Sequence, residues 1–404
     1  MFLAKKIIIP LFEVLVGTRE DFTLQYQPSI ERVDMIFKRF LGSEYSDHEP
    51  VFVFCHWSWP LSDLHVELYY KVIDYFMEKC KSFGLPKQNV GSLFVRSNEV
   101  QKLVNDMNKK YNSTMFKSFE FFMLRDHYYN KYIDTTTPYW NYKSEKSLCL
   151  FGKASREIRT KALRDLVANG DLNDDKMLWT LELSHFNKNL LDKIKRWMPD
   201  LEDFKKYERS FDDELYKIYK EMGALGYPYS KDLYNSTFMS FIFETNADRG
   251  PFFKDYDFIT EKVWRPIFNR HPFMLIVSSQ DIIDKIHSYG METFEQFYLD
   301  GEYDRLYLAN NISKYYNKFR KYVKENVGQI HEIVENNFKA YHNYIDQEIQ
   351  NLEGLDKLPV LRFSPTLEKT TFQDLVFFYD ITVFMNNDLW QEIKNNSIFK
   401  QLYS

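Results

Sequence analysis

The chain has three cysteines in 404 residues, Cys55, Cys80 and Cys149, far apart and with no CxxC pair among them. So sparse and odd a count excludes a disulfide-stapled framework and predicts reduced thiols in a cytoplasmic setting. No run of 18 apolar residues occurs, which predicts a soluble chain without a membrane span. The opening MFLAKKIIIPLFEVLVG is basic and then apolar, but Pro10 and Glu13 interrupt it and it is too short to cross a bilayer. It reads as a first strand rather than a signal peptide. Neither GxxxxGK[ST] nor GxGxxG is present, which excludes a P-loop and the simplest dinucleotide fingerprint. Internal repeats and low-complexity tracts are missing too. Positive charge is not in excess: 53 basic residues stand against 58 acidic, a net charge of −5. That excludes a uniformly basic nucleic-acid coat and leaves a local basic cleft open.

Hydrophobic residues make up 44% of the chain, enough for sizeable cores, and the length suggests two or three domains. Aromatic content is 18%, with 36 Phe and 29 Tyr, and the chain is rich in Asn and Lys, a mixture typical of AT-rich coding genomes.

Strand and helix patterns alternate. PVFVFCHW (50–57) is β-branched and aromatic, as a buried strand should be. In 62–84 the apolar Leu64, Val66, Leu68, Val72, Ile73 and Phe76 recur at helical spacing, with Gly84 placed to end the helix. GSLFVRS then reads as a strand, NEVQKLVNDMNKKY as a helix and MFKSFEFFML as a further strand. The polar stretch DTTTPYWNYKSEK (134–146) breaks the pattern, which restarts with SLCLFG as a strand and KASREIRTKALRDLVANG as a helix. A helical, charged insert is expected over about 186–222. NSTFMSFIFET, HPFMLIVS and SQDIIDKIHSYG follow as strand, strand and helix, with Ser278 and Asp281 resembling a capping box. From Ile312 to about Leu352 the chain reads as long amphipathic helix broken near Gly328, and the final FQDLVFFYDITVFMNNDLWQEI reads as helix too. The expectation is α/β: two Rossmann-like domains, 1–145 and 146–310, facing across a cleft, with a helical C-terminal tail over 311–404.

Two stretches suit a diphosphate. In DFITEKVWRPIFNRHPF (257–273), Thr260 is a good N-cap and Lys262 stands in the first helical turn, against the helix dipole. An anion shared by the helix N-terminus and the Lys262 ammonium would offset that cost, and Glu261 could accept hydrogen bonds from a ribose diol. Pro266 should leave the helix short or kinked, over Val263, Trp264, Ile267 and Phe268. Arg265, Arg270 and His271 read as structural or peripheral. The plain alternative is a solvated charged turn on an amphipathic base. In GKASREIRTKALRDL (152–166), Lys153, Arg156, Arg159, Lys161 and Arg164 cluster just after a strand and a glycine. Backbone N–H groups and a guanidinium fork there would hold phosphate oxygens; the alternative is a basic helix face in water.

These stretches resemble the donor-binding half of α-1,3-fucosyltransferases and their bacterial and phage relatives. The resemblance covers about 146–310. It rests on the strand SFIFETN with Glu244, on DFITEK from Asp257 to Lys262, and on Ile158–Arg159 upstream. It implies a GT-B fold and an inverting transfer from a GDP- or UDP-linked sugar with no metal or other cofactor required. It implies Arg159 and Lys262 on the pyrophosphate, Glu261 near the ribose and Glu244 near the sugar or ribose. The family usually continues with small residues and a VPVV strand where this chain has RPIFNRHPFMLI, a variant similar to glycosyltransferase-like proteins of phages, so fucose is not assigned.

Asp255-Tyr256-Asp257 is formally a DxD, the metal–diphosphate ligand pattern of the GT-A fold, but it follows GPFFK rather than an apolar strand. On the acceptor side, CHWSWPLSDLH (55–65) offers His56, Asp63 and His65 as bases and Trp57 and Trp59 as stacking platforms. Ordinary packing is the competing reading. Glu120 and Asp126 are weaker rivals as bases. The acceptor is expected to be a saccharide or a hydroxymethylated base in phage DNA, which would have to be flipped out of its duplex. The acidic net charge opposes a DNA track; the run KNLLDKIKRWMP (188–199) favours one. A non-catalytic nucleotide- or anion-binding protein, or a virion structural protein on a degenerate scaffold, is the alternative function.

Overall fold

The computed structural model describes residues 3–12, 16–17, 24–56, 63–86, 89–132, 139–153, 157–182, 195, 201–209, 231–244, 259–277, 279–352, 354–364 and 366–370. The architecture is α/β, with two separate and mostly parallel sheets flanked by helices. Contacts within the chain divide it into two units, Met1–Tyr129 with Gln347–Ser404, and Asn130–Asp346.

In the first unit, β1 (Leu3–Phe12) carries Ile7, Ile8, Ile9 and Leu11, all buried, as a strand covered on both faces requires. It runs parallel to β2 (His48–His56), with Ile8 opposite Val51 and Phe12 opposite Cys55. Pro10 has no N–H to give a ladder. The Ile8 N–H donates to the Pro359 carbonyl, away from β2, and strand alternation turns the Pro10 nitrogen to that same side. Next to β2 come β3 (Val90–Val95) and β4 (Phe116–Phe119), again parallel. Gly91 is required between these two strands: a Cβ there would meet the Met115 carbonyl oxygen at 2.3 Å. Helices α1 (Tyr26–Leu41), α2 (Asp63–Ser82) and α3 (Asn98–Tyr111) connect these strands. The rings of Phe37 and Phe52, which stack, and of Phe76, which meets Phe52 edge-on, fill the space between α1, β2 and α2.

The continuous apolar run MFKSFEFFML is not one strand. It pairs only as far as Phe119, and α4 (Phe121–Tyr132) begins two residues later.

In the second unit, β5 (Ser147–Lys153), β6 (Met177–Glu182), β7 (Met239–Phe243) and β8 (Phe273–Ile276) form an all-parallel sheet in the order β8-β7-β5-β6. Helix α5 (Glu157–Ala168) buries Ile158, Ala162, Leu163 and Leu166, at 3.6-residue spacing. Helix α6 (Glu261–Phe268) is eight residues long and contains Pro266; it buries Val263, Trp264, Ile267 and Phe268 as the sequence suggests. Helix α7 (Gln280–Ser288) starts one residue later than the expected capping box. Its N-cap is Ser279, which makes no side-chain capping bond, and Ser278 lies outside the described residues. Helices α8 (Arg305–Asn310), α9 (Ile312–Glu325) and α10 (Val327–Asn351) follow, with the break at Asn326. Only the stretch at 195 and 201–209 of the expected charged insert is described, including a helical turn at Leu201–Phe204.

The tail is not helical throughout. Beyond α10 the chain forms β9 (Val360–Ser364) and β10 (Thr366–Thr370). Strand β9 adds in parallel beside β1 and β10 folds back on β9, giving a six-stranded sheet in the order β10-β9-β1-β2-β3-β4. Residues 371–404, expected to be helical, lie outside the described residues.

Candidate functional site at the carboxyl ends of β5 and β7

The chain leaves β5 through α5 to β6 on one side and leaves β7 through α6 to β8 on the other. The strand order therefore reverses between β5 and β7. Open parallel sheets bind ligands at such a switch point, outside the carboxyl ends of the strands. Of the residues singled out from the sequence, Arg159, Glu244, Thr260, Glu261 and Lys262 lie there.

Arg159, in the first turn of α5 and buried, reaches across the gap. Its Nη1 donates to the Phe151 carbonyl of β5 at 3.0 Å and its Nη2 to the Phe243 carbonyl of β7 at 3.3 Å. One rigid guanidinium fork thus ties the two strand ends together, a task a lysine could not perform. Its charge is felt nearby: burial pushes the Cys149 thiol well above its usual range, and the Arg159 charge pulls the other way.

Glu244 follows Phe243 directly. Its carboxylate brackets Thr260, accepting the hydroxyl at 2.6 Å on Oε1 and the backbone N–H at 3.2 Å on Oε2. Thr260 is the N-cap of α6, with extended backbone (φ −94°, ψ 176°), and its Oγ1 accepts the Lys262 N–H. The Val263 N–H is taken by the Thr260 carbonyl. Lys262 Nζ lies 2.5 Å from Glu261 Oε1 and 3.4 Å from Thr260 Oγ1. Glu261 is buried, whereas the Lys262 side chain keeps 28% of its surface exposed.

Glu244, Thr260, Glu261 and Lys262 thus form one hydrogen-bonded chain of side chains, and Arg159 holds the strand end that carries Glu244. Two expectations change. The cost of a lysine in the first turn is met within the protein, by the Glu261 carboxylate beside it. The first-turn donors of Lys262 and Val263 are already used by Thr260, so an anion here would meet the Lys262 ammonium rather than those amides. Lys153 ends β5, but its side chain lies outside the described residues, as do Arg156 and the DxD at 255–257. On the acceptor side, Trp57 and Trp59 lie outside the described residues, and so do the side chains of His56, Asp63 and His65.

The flanking basic residues hold the fold. The Arg270 guanidinium packs 3.6 Å from the Phe338 ring centroid and pairs with Glu335 at 2.7 Å. His271 is fully enclosed, with Nδ1 2.5 Å from Ser240 Oγ and Nε2 2.9 Å from the Thr237 carbonyl. Burial pushes its pKa down to about 4, against the lesser pull of the Thr237 carbonyl. Nε2 therefore donates to Thr237, and Nδ1 accepts the Ser240 hydroxyl. Ser240 lies near the start of β7, at the opposite end from Glu244, and is buried, so this serine–histidine contact is a staple and not a nucleophile.

Sequence reasoning did not pick out Arg96 and Glu348, which meet at the carboxyl edge of the six-stranded sheet; an arginine directly after the strand GSLFV was the available signal. Among the described residues, no group of three or more His, Cys, Asp or Glu stands ready to hold a metal ion. No helix among them is long and apolar enough to cross a membrane. Comparison of the chain with known protein-family models and with curated proteins gives no match.

Proposed function

We propose that this protein is an inverting glycosyltransferase of GT-B type that moves a sugar from a nucleotide diphosphate sugar to a hydroxyl acceptor. The observation that carries the reading is the convergence of Glu244, Thr260, Glu261 and Lys262 on the switch point whose strand ends Arg159 ties. In the reaction, the acceptor oxygen bonds to the anomeric carbon from the face opposite the diphosphate. The acceptor proton passes to a base, and the anomeric carbon–oxygen bond breaks, its electron pair leaving with the diphosphate. The partly exposed Lys262 ammonium meets the charge that grows on the departing diphosphate, and Glu261 holds that ammonium in place. Arg159 and Glu244 act beneath it, fixing the strand ends and the start of α6. Asp63 or His56 serves as the base, Trp57 and Trp59 as the acceptor shelf, and Lys153 and Arg156 as further phosphate contacts. The acceptor is a saccharide or a hydroxymethylated DNA base, and the setting is cytoplasmic.

A second reading has an observation of its own. Lys262 is already neutralised by Glu261, and the N–H groups of Lys262 and Val263 are spent within the chain. A non-catalytic nucleotide- or anion-binding protein, or a virion structural protein, on the same scaffold would tolerate this arrangement.

Thermal stability with GDP, UDP, CDP and their sugars decides between them. A nucleotide present at about 100 times its dissociation constant should add roughly 2.7 kcal/mol. Stabilisation by one nucleotide, lost in Lys262→Ala and accompanied by sugar release or transfer, supports the enzyme. Stabilisation without turnover on glycan or DNA acceptors supports the binding protein. No stabilisation by any nucleotide overturns the donor site.

A further inference from the structure

Helix α10 begins in the second unit, and its last turns belong to the first. There Glu348 is 2% exposed and docks on the carboxyl edge of the six-stranded sheet. Its Oε1 lies 2.7 Å from Arg96 Nη1, and its Oε2 accepts the backbone N–H of Glu120 at 2.9 Å. Arg96 directly follows β3; its own N–H donates to the Phe119 carbonyl, and its Nη2 donates to the Ser118 carbonyl at 2.9 Å. Glu120 directly follows β4 and is 1% exposed. The returning chain is thus fastened to two adjacent strands by one carboxyl group. Beyond it, Leu352 and Leu355 are buried and β9 enters the sheet with Val360 opposite Ile8.

A fastening of this kind is sensitive to its proton. The Glu348 carboxylate is taken out of water, which disfavours its charge, and it faces a second buried carboxyl group, Glu120. Arg96, whose side chain is 19% exposed, opposes both effects. We propose that Glu348 is a proton-operated latch, and that the last turn of α10 docks on the sheet edge more firmly with this carboxyl protonated than with it ionised. The protonated group keeps an oxygen for the Glu120 N–H and no longer places a charge beside the buried Glu120 carboxyl. Burial raises the Glu348 pKa, ahead of the opposing pulls of the Arg96 charge and of the Glu120 N–H, with the nearby Glu120 carboxyl adding a smaller rise. The sign follows from linkage: a group whose pKa is raised by folding contributes stability that is complete below its ordinary value and is lost as pH rises through the folded one. The latch therefore tightens as the pH falls to the ordinary glutamate value and slackens as it rises through the raised one, and with it the seat of the segment that brings β9 to β1.

The test is hydrogen exchange on the full chain, wild type against Glu348→Gln, from about pH 4.5 to 8. The amide is a neutral stand-in for the protonated acid. The amides of the last turn of α10 and of Glu120, corrected for the intrinsic pH dependence of exchange, should be protected several-fold more in the variant at pH 8. That advantage should vanish as the pH falls. An advantage independent of pH, or weaker protection in the variant throughout, would overturn the latch. Should the variant not fold, carbon-13 titration of the Glu348 carboxyl in the wild type decides. A midpoint above the ordinary glutamate value supports the proposal, and one at or below it sinks it.

Discussion

At the carboxyl edge of the four-stranded sheet, an arginine donates to carbonyls near the ends of two strands, and a buried glutamate follows one of them. At the carboxyl edge of the six-stranded sheet the same residue types recur, with Arg96 on the Ser118 carbonyl and Glu120 after β4. The difference lies in what each edge then holds. Glu244 spends its carboxylate on a helix cap that presents a partly exposed lysine–glutamate pair. At the other edge the Arg96 guanidinium meets Glu348, which arrives on a helix from far along the sequence. One edge is braced to display a charged pair, and the other to receive its own chain. The lesson is that an arginine at a strand end is first a fastening, and that its neighbours decide whether a ligand site results.

The largest effect that would break this contrast is at Arg96. In Arg96→Ala, Glu348 keeps its burial and loses its counter-charge, which should cost about 3–4 kcal/mol at neutral pH by urea unfolding. The loss should shrink in acid as Glu348 takes up a proton. A loss under about 1 kcal/mol at neutral pH would mean that the edge of the six-stranded sheet does not depend on this pair.

The two units should also answer acid in opposite directions. Folding lowers the His271 pKa from its usual 6.5 to about 4, so the stability it contributes is complete above pH 6.5 and is lost as pH falls toward 4. The loss should reach about 3 kcal/mol. A variant that cannot protonate there, His271→Gln, should be less stable at neutral pH and should lose less of its stability between these values. Glu348 gains over part of the same range, so the two effects are separable only by comparing each variant with the wild type. A wild-type profile unchanged by both substitutions would remove the contrast.

Arg159→Ala should cost about 2–3 kcal/mol, because it leaves two buried strand carbonyls without these donors. Arg159→Lys should recover only a part, since an ammonium has no planar fork with which to span two strands. Full recovery in the lysine variant would show that charge, and not the fork, holds the switch point.

How much of this was legible follows from range in sequence. The T-E-K turn and Arg159 could be read because each sits within a few residues of the strand or cap that gives it meaning. The short helix around Pro266 and the turn glycines Gly84, Gly170 and Gly290, all with positive φ, follow from local chemistry too. The strand at β6, MLWTLE, and the helix α1, with Ile30, Val33, Phe37 and Phe40 buried, carry ordinary periodic signals and were open to a fuller count. The start of α4 was not, because an unbroken apolar run fits strand and helix equally. Glu348 was beyond reach: the partners it holds directly follow strands more than two hundred residues earlier, and β9 joins its sheet from beyond the whole of the other unit in sequence. The neutralisation of Lys262 by Glu261 was visible as adjacency, but whether the pair closes on itself depends on the rotamer that Thr260 and Glu244 impose.

The smallest effect on stability is the most informative for function. Lys262→Ala removes a partly exposed ammonium but leaves the buried Glu261 carboxylate without it, so the fold should lose about 1–2 kcal/mol. Glu261, buried and left without that charge, supplies most of the loss that does occur. If the edge of the four-stranded sheet is built to display this pair, nucleotide-dependent stabilisation should fall sharply while the fold stands. Glu261→Gln should then act in a different sense: it frees the ammonium, so diphosphate affinity should rise even as orientation, and with it turnover, declines. If both substitutions leave nucleotide binding untouched, the pair serves the start of α6 alone. The two edges would then differ in architecture alone.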